Sequence, residues 1–311
     1  MKFIELFAGI GGFRLGLEKA GHKCVWANEF MPKAGSIYEY NFKDRPDGRD
    51  IRTIHVDEIP SADLLVGGFP CATFSFAGKR TGFGTEDARG TLFFEICRIL
   101  AGKQIPYVFL ENVKGLLNHD NGRTFAVIIA SLDELGYDLQ WECLNSKNFG
   151  VPQNRERIFI VGHLRGHPRP KVFPIGRSYA EDSFQDREKQ SSKSRLWGKS
   201  NIAVGTICHR IYKGDTNNVY IDASFGREIG HNQSEQSNRG DGKKSNGFSV
   251  LKQNKVRQLT PLECERLQSL PDNWTKWYAD GSIVPDSQRY ERCGRAVTVN
   301  VIYEIAKRLP V

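Results

Sequence analysis

Phe3-Ile4-Glu5-Leu6-Phe7-Ala8-Gly9-Ile10-Gly11-Gly12 opens the chain as an apolar strand running into a glycine turn, and Leu15 and Leu17 begin the helix that follows. Strand, glycine turn and helix in this order make the first unit of an α/β fold. The turn lacks the spacing of the dinucleotide fingerprint, so alone it reads equally well as tight packing of helix on sheet. The next strand tips the balance. Val25-Trp26-Ala27-Asn28-Glu29 ends in a carboxylate about 20 residues on, where an acidic side chain can receive a ribose diol. Arg49-Asp50-Ile51 then offers an acceptor and an apolar contact for an adenine. A nicotinamide is the weaker choice of cofactor, because nothing else in the chain suggests hydride transfer.

Further along, Ala62 to Val66 is a short apolar run that reads as a buried strand of a parallel sheet. It leads into Gly67-Gly68-Phe69-Pro70-Cys71-Ala72-Thr73-Phe74-Ser75, where the two glycines are expected to turn the chain sharply and present Cys71 at the carboxyl end of the sheet. Ligands of open α/β sheets bind at such ends. An ordinary thiol is only about 3% thiolate at neutral pH, so a nucleophilic Cys71 needs a cation or base beside it, and a lone Cys is more often a small buried hydrophobe. Cys71 has company. Tyr107-Val108-Phe109-Leu110 is a further strand ending in Glu111-Asn112-Val113, and Val151 to Phe159 is expected to put Arg155 and Arg157 on one side of a strand.

With these blocks in place, the sequence resembles the DNA (cytosine-5)-methyltransferase family of bacterial or phage type over nearly its whole length. Pro70-Cys71, Glu111-Asn112-Val113, Gln153-Asn154-Arg155-Glu156-Arg157 and Gly294-Arg295-Ala296-Val297-Thr298-Val299-Asn300 look like four of its ordered blocks. The resemblance implies a doubly wound, mostly parallel sheet of the S-adenosylmethionine-dependent methyltransferase type, with a smaller DNA-recognition lobe. It also implies the chemistry. Carbon 5 of cytosine is a poor nucleophile until a thiolate adds to carbon 6, which makes Cys71 the covalent nucleophile. Glu111 is implied at the ring nitrogen N3, provided its site keeps it protonated or lets it share the base's proton. Arg155 and Arg157 are implied at the cytosine carbonyl oxygen, Arg157 the better match for direct contact; a surface ion pair with Glu156 is the plainer reading of both. Phe7, Ala8, Gly9, Gly11, Gly12, Glu29, Asp50, Ile51 and Pro70 match the family's S-adenosylmethionine positions. The blocks do not separate DNA from RNA, so transfer to tRNA cytosine stays open, as does a noncatalytic DNA-binding protein.

Two positions depart from the family pattern. Ala72 stands where Gln usually follows the catalytic Cys, and Arg295 where Asn usually follows the glycine of the last block. By resemblance both lie near the cofactor's transferable carbon. A guanidinium ~5 Å from the sulfonium is repelled by roughly 3 kcal/mol at an effective dielectric near 20. Arg295 must therefore turn to the methionine carboxylate, a protein carboxylate or DNA phosphate, or else meet a cofactor whose transferred carbon itself bears a carboxylate. The last case, carboxy-S-adenosylmethionine, would make the product 5-carboxymethylcytosine.

Composition fits a polyanionic partner, with formal net charge +8 over 311 residues, a length that holds a large core and a second lobe. Seven cysteines without a CxxC pair indicate neither a disulfide framework nor a metal site. The start is too short and too soon charged for a signal peptide and no apolar run approaches the ~18 residues of a membrane span, so the expectation is a cytoplasmic protein. Residues 1–167 are expected to form the cofactor-binding and catalytic domain, 168–256 a polar target-recognition lobe, and 257–311 a helix linking the lobes and a return to the catalytic domain. The resemblance implies double-stranded DNA as the partner and a monomeric enzyme, with a cognate restriction endonuclease as a further candidate. In the lobe His209, Arg210, Tyr212, Lys213 and Arg227 are candidate DNA-reading residues. After the nucleophile, residues 77–88 form a glycine-rich segment whose Lys79 and Arg80 could meet phosphate as it closes, with Ser75 on the phosphate of the flipped-out nucleotide. Thr260-Pro261-Leu262-Glu263 predicts a capped helix start.

Overall fold

The computed structural model describes residues 1–70, 92–175, 220–222, 228–229, 249–252 and 255–310. Strands and helices alternate as β1 (Lys2–Leu6), α1 (Gly12–Lys19), β2 (Lys23–Asn28), α2 (Pro32–Phe42), β3 (Leu64–Gly68), α3 (Leu92–Lys103), β4 (Tyr107–Val113), α4 (Arg123–Glu134), β5 (Tyr137–Asn145) and β6 (Glu156–Leu164). The sheet runs β2-β1-β3-β4-β6-β5. The first four strands pair in parallel, and β6 pairs antiparallel with β4 and with β5. The chain winds one way from β1 to β2 and the other way from β1 to β3, which opens a crevice at the carboxyl ends of β1 and β3.

Both faces of the inner strands are buried, so β3 and β4 are apolar nearly throughout, whereas the edge strand β5 alternates with polar residues. Phe3, Leu64, Val66 and Phe109 lie in one cluster with Phe13 and Leu17 of α1, and Ile4, Leu65, Val108 and Leu110 lie in another with Ile96, Leu100 and Ile128 of α3 and α4. Side chains of this size contribute about 1.5–3 kcal/mol each when fully buried.

Three helices complete the described C-terminal part: α5 (Pro261–Leu267), α6 (Asp286–Arg295) and α7 (Val299–Ala306). Ile302 and Ile305 of α7 join the cluster that holds Phe13 and Leu17, so the chain's end returns to the first helix. The predicted cap is present: Thr260 Oγ1 accepts from Glu263 N at 3.3 Å, and Glu263 Oε2 accepts from Thr260 N at 2.8 Å. Within the polar segment 168–256 and just past its end, β7 (Tyr220–Asp222), β8 (Glu228–Ile229), β9 (Ser249–Lys252) and β10 (Lys255–Gln258) form a second sheet in the order β10-β9-β7-β8. Among the described residues no helix is long and apolar enough to cross a membrane.

Two local expectations are corrected. Gly67 and Gly68 do not turn the chain; they are the last residues of β3. Glycine is needed at 67 because a Cβ would sit 2.8 Å from Leu6 O of the neighbouring strand. Arg155 and Arg157 do not share a strand, because β6 begins at Glu156 and Arg155 precedes it.

Candidate active site

The cofactor side of the crevice is built from the turn after β1. Phe7, Gly9 and Gly11 take positive φ of 55°, 57° and 83°. This lets Gly11 N close onto Ala8 O at 2.8 Å and begins α1 within one turn. A Cβ at Gly11 would collide with the Phe42 ring. Trp274 supports the turn from outside, its indole Nε1 donating to Ile10 O at 2.8 Å.

Across this turn Glu29 sits at the end of β2, 7% exposed. Its Oε2 accepts from Gly9 N at 2.7 Å and its Oε1 from Met31 N at 2.8 Å. Burial pushes its carboxyl pKa up, while those two N–H groups and the charges of Arg292 and Arg295 pull it down. Asn28 donates to Asp47 O and Arg49 O, both at 2.9 Å, which brings the loop holding Asp50 against the end of β2. Asp50 caps the short turn Ile51–Thr53 by accepting from Arg52 N at 3.0 Å, and the Arg52 side chain beside it holds its carboxyl below the usual range. Ile51 is 2% exposed, a core side chain beneath that turn.

Sequence reasoning missed Phe30. It directly follows Glu29 and is 62% exposed, an unusual state for a large apolar ring. An aromatic residue immediately after the strand-end carboxylate was the available signal.

The catalytic side is built from the ends of β3, β4 and β6. Gly68 pairs with Glu111, and Val113 pairs with Arg157. Glu111 and Val113 share a face, so Arg157 is diagonal to Glu111 on neighbouring strands, and its Nε meets Glu111 Oε1 at 3.1 Å. Both side chains are largely buried, 16% and 11% exposed, where a charged pair is held by geometry as well as by attraction. Gly68 makes room for the carboxylate, since a Cβ there would lie 3.0 Å from Glu111 Oε2. Asn112 Nδ2 donates to Phe69 O at 2.9 Å and so fixes the last described residues of β3's exit, which reach Pro70. Cys71, Ser75, Lys79, Arg80, His209, Arg210, Tyr212, Lys213 and Arg227 lie outside the described residues.

Arg155 is not beside Glu111 in the pairing that Arg157 makes. It is 2% exposed, and its guanidinium donates to Gly294 O at 3.1 Å and Ala296 O at 2.8 Å. The Glu156 carboxylate pairs with Lys114 at 2.9 Å, while its backbone O accepts from Arg157 Nη1 at 2.8 Å. Gln153 donates to Leu267 O at 2.7 Å, and Gln268 accepts from Thr298 Oγ1 while donating to Cys293 O, both at 2.8 Å. These buried contacts tie residues 153–155 to the last block, a job for Gln153 and Gln268 that no spacing in the sequence announces.

Arg295 finds a protein carboxylate. Its Nη2 meets Glu291 Oε1 at 2.8 Å one helical turn back, and its Nη1 donates to Met31 Sδ at 3.4 Å.

Comparison with known proteins gives the family of nearly the whole chain. The C-5 cytosine-specific DNA methylase family matches residues 1–310. The chain is 35% identical to the Type II methyltransferase M.HhaI of Haemophilus parahaemolyticus, over 98% of this chain and 93% of that protein. It is 38% identical to M.NgoBI of Neisseria gonorrhoeae, over 97% and 90%. In fold it is similar to the S. pombe Dnmt2 methyltransferase, with TM-score 0.66 and 19% identity over 98% of this chain and 97% of that one. With the crevice, the Glu111–Arg157 pair and a match that spans residues 1–310, the chain belongs to the C-5 cytosine-specific DNA methylase family and is an enzyme of the DNA (cytosine-5)-methyltransferase class.

Proposed function

We propose that the protein transfers a methyl group from S-adenosylmethionine to carbon 5 of a cytosine flipped out of duplex DNA, through a covalent bond from Cys71. The observation that carries this reading is the Glu111–Arg157 pair at the end of β4, one strand from the segment that leads into Cys71. The Cys71 sulfur bonds to carbon 6 of the ring, and the displaced electron pair makes carbon 5 nucleophilic. Glu111 meets N3, and Arg157 orients Glu111 and receives the carbonyl oxygen as charge grows there. After transfer, a base removes the carbon 5 proton and the S–C6 bond breaks, which regenerates the thiolate. Arg155 acts one step back, holding the last block against the crevice through Gly294 and Ala296.

The crevice fits the cofactor by the chemistry of its donor set. Glu29 has lone pairs left for a ribose diol, Phe30 offers an exposed ring face for an adenine, and Gly9 keeps the turn open, since a Cβ there would meet nothing nearer than Phe7 O at 4.0 Å. When bound, the cofactor supplies a methyl group on a sulfonium. Glu291 answers the charge of Arg295 without any carboxylate on the transferred carbon, which favours S-adenosylmethionine over its carboxylated relative. We place the enzyme in the cytoplasm as a monomer, with or without a cognate restriction endonuclease, and its target choice in the lobe between 168 and 256.

Duplex DNA with 5-fluorocytosine at the target position tests the covalent step. With cofactor present, wild type should give a complex that survives denaturation, and Cys71→Ser should not. Equal trapping by Cys71→Ser would remove Cys71 from the mechanism. Mass spectrometry of nucleosides from DNA and tRNA of expressing cells counts 5-methylcytosine and 5-carboxymethylcytosine in each pool. It separates the substrate and the transferred group in one measurement.

A further inference from the structure

Among the described residues Arg292 is a buried cation without an anion. It lies on the inward side of α6, 5% exposed, and its Nε has no hydrogen-bond partner. Its neighbours on the helix are paired: Arg289 with Glu265 at 3.1 Å, and Arg295 with Glu291 at 2.8 Å. No carboxylate among the described residues comes within ion-pair distance of Arg292. Its Nη1 instead donates to Met31 Sδ at 3.6 Å, a weak acceptor. Burying a guanidinium on such terms is costly unless its field is used nearby.

Met31 shows where that field falls. The same residue that takes Arg292 and Arg295 on its sulfur gives its backbone N–H to Glu29 Oε1 at 2.8 Å. Arg292 is thus separated from Glu29 by one side chain, close enough to favour its charged form but not close enough to occupy its lone pairs. A direct salt bridge would do the opposite, spending the oxygens on protein.

We propose that Arg292 is a positioning residue for the cofactor: standing behind Met31, it keeps Glu29 anionic so that both oxygens can accept ribose hydroxyls. This rests on the reading that Glu29 receives the ribose. Among the described residues the groups that face the Glu29 carboxylate are the Gly9 N–H from the turn after β1, the Met31 N–H at the start of α2, and Arg292 and Arg295 from α6; Asp47 meets Glu29 through its backbone carbonyl, and its carboxylate is paired with Arg49 at 2.8 Å. Among the described residues the two arginines are the groups that add positive charge to the carboxylate from beyond hydrogen-bond distance, and of these Arg292 is the one that lacks a carboxylate of its own.

The test is calorimetric binding of S-adenosylhomocysteine and of its 2′,3′-dideoxy analogue to the full-length protein, at about pH 6 and pH 9. Removing the cation lets Glu29 hold its proton to higher pH, so affinity should be lost at low pH and recovered at high pH. Arg292→Met should weaken S-adenosylhomocysteine about tenfold at the lower pH and much less at the higher, and should leave the dideoxy analogue unchanged. Arg292→Lys should restore most of the loss; it also carries the test if Arg292→Met does not fold. An equal loss for both ligands at both pH values would overturn the proposal and make Arg292 a structural residue. So would wild-type affinity in Arg292→Met. If wild type itself failed to distinguish the two ligands, and Glu29→Gln bound both normally, the ribose reading of Glu29 would be what failed.

Discussion

Two arginines two residues apart in one sequence block do different work, and mutation should separate them. Arg157 meets the Glu111 carboxylate at 3.1 Å, whereas Arg155 is spent on the carbonyls of Gly294 and Ala296. Arg157→Ala should therefore keep the fold and lose on the order of 10²–10³ in kcat, the usual cost of removing one donor aimed at developing charge. Arg155→Ala strands two buried carbonyls and should cost about 2–4 kcal/mol of stability. Urea unfolding and single-turnover methylation, run side by side, check both. A stable but inactive Arg155→Ala would show that this guanidinium reaches the base after all. Strand alternation suggested a shared face for the two, and only the resemblance favoured Arg157 for direct contact; the register of β6 with β4, which decides which arginine meets Glu111, is not readable from local sequence.

At the scale of elements, the first strand and the two helices that follow it are joined by a carboxylate in the core. Glu5 of β1 accepts from the backbone N of Arg14 in α1 and from the Tyr38 hydroxyl in α2, each at 3.4 Å. Gly11 has no side chain with which to cap α1, so Glu5 satisfies one of that helix's free N–H groups from the strand beneath. Burial raises its pKa from 4.5 to about 8. Between those two values the native state holds a proton that the unfolded chain has released, so this group's contribution to stability is full below the lower value and is lost as pH rises through the upper one. Glu5→Gln should remove that slope and should exceed wild type at about pH 9 by ~2–4 kcal/mol. Thermal melts of both proteins across this range are the check; a difference that did not vary with pH would mean Glu5 is ionised throughout. The strands and the α1 turn were readable from apolar runs and glycines, and Thr260 and Glu263 announced the start of α5. Glu5 gave no such sign, since a carboxylate inside an apolar strand shows its partners only once α1 and α2 are folded over it. Gly67 and Gly68 misled for a related reason: they answer to Leu6 and Glu111 on adjacent strands, and local sequence cannot report that.

Over the whole molecule, chemistry and target choice are expected to reside in different parts. The crevice uses the ends of β1 to β4 and β6, closed from outside by Trp274, Gln268 and the last block, all of which lie before residue 165 or after residue 258. Between these parts the chain crosses into a segment of different composition, and its attachments are specific. On one side Gln140 Nε2 donates to Pro170 O at 2.7 Å, and Arg308 donates to Val172 O at 2.8 Å. On the other, Arg257 pairs with Glu263 at the cap of α5. A segment anchored at both ends by contacts that belong to the catalytic part can be exchanged without opening the crevice. Replacing residues 176–254 with the corresponding segment of a relative of different specificity should therefore give an active enzyme with the donor's target. The net charge of +8 adds a second signature, because each phosphate contact releases counterions and affinity should fall steeply as salt is raised. Methylation-protection mapping of a mixed-sequence substrate reads the target directly. A folded, active hybrid that kept the recipient's sites would move target choice out of the lobe and into the crevice or the segment that follows Cys71.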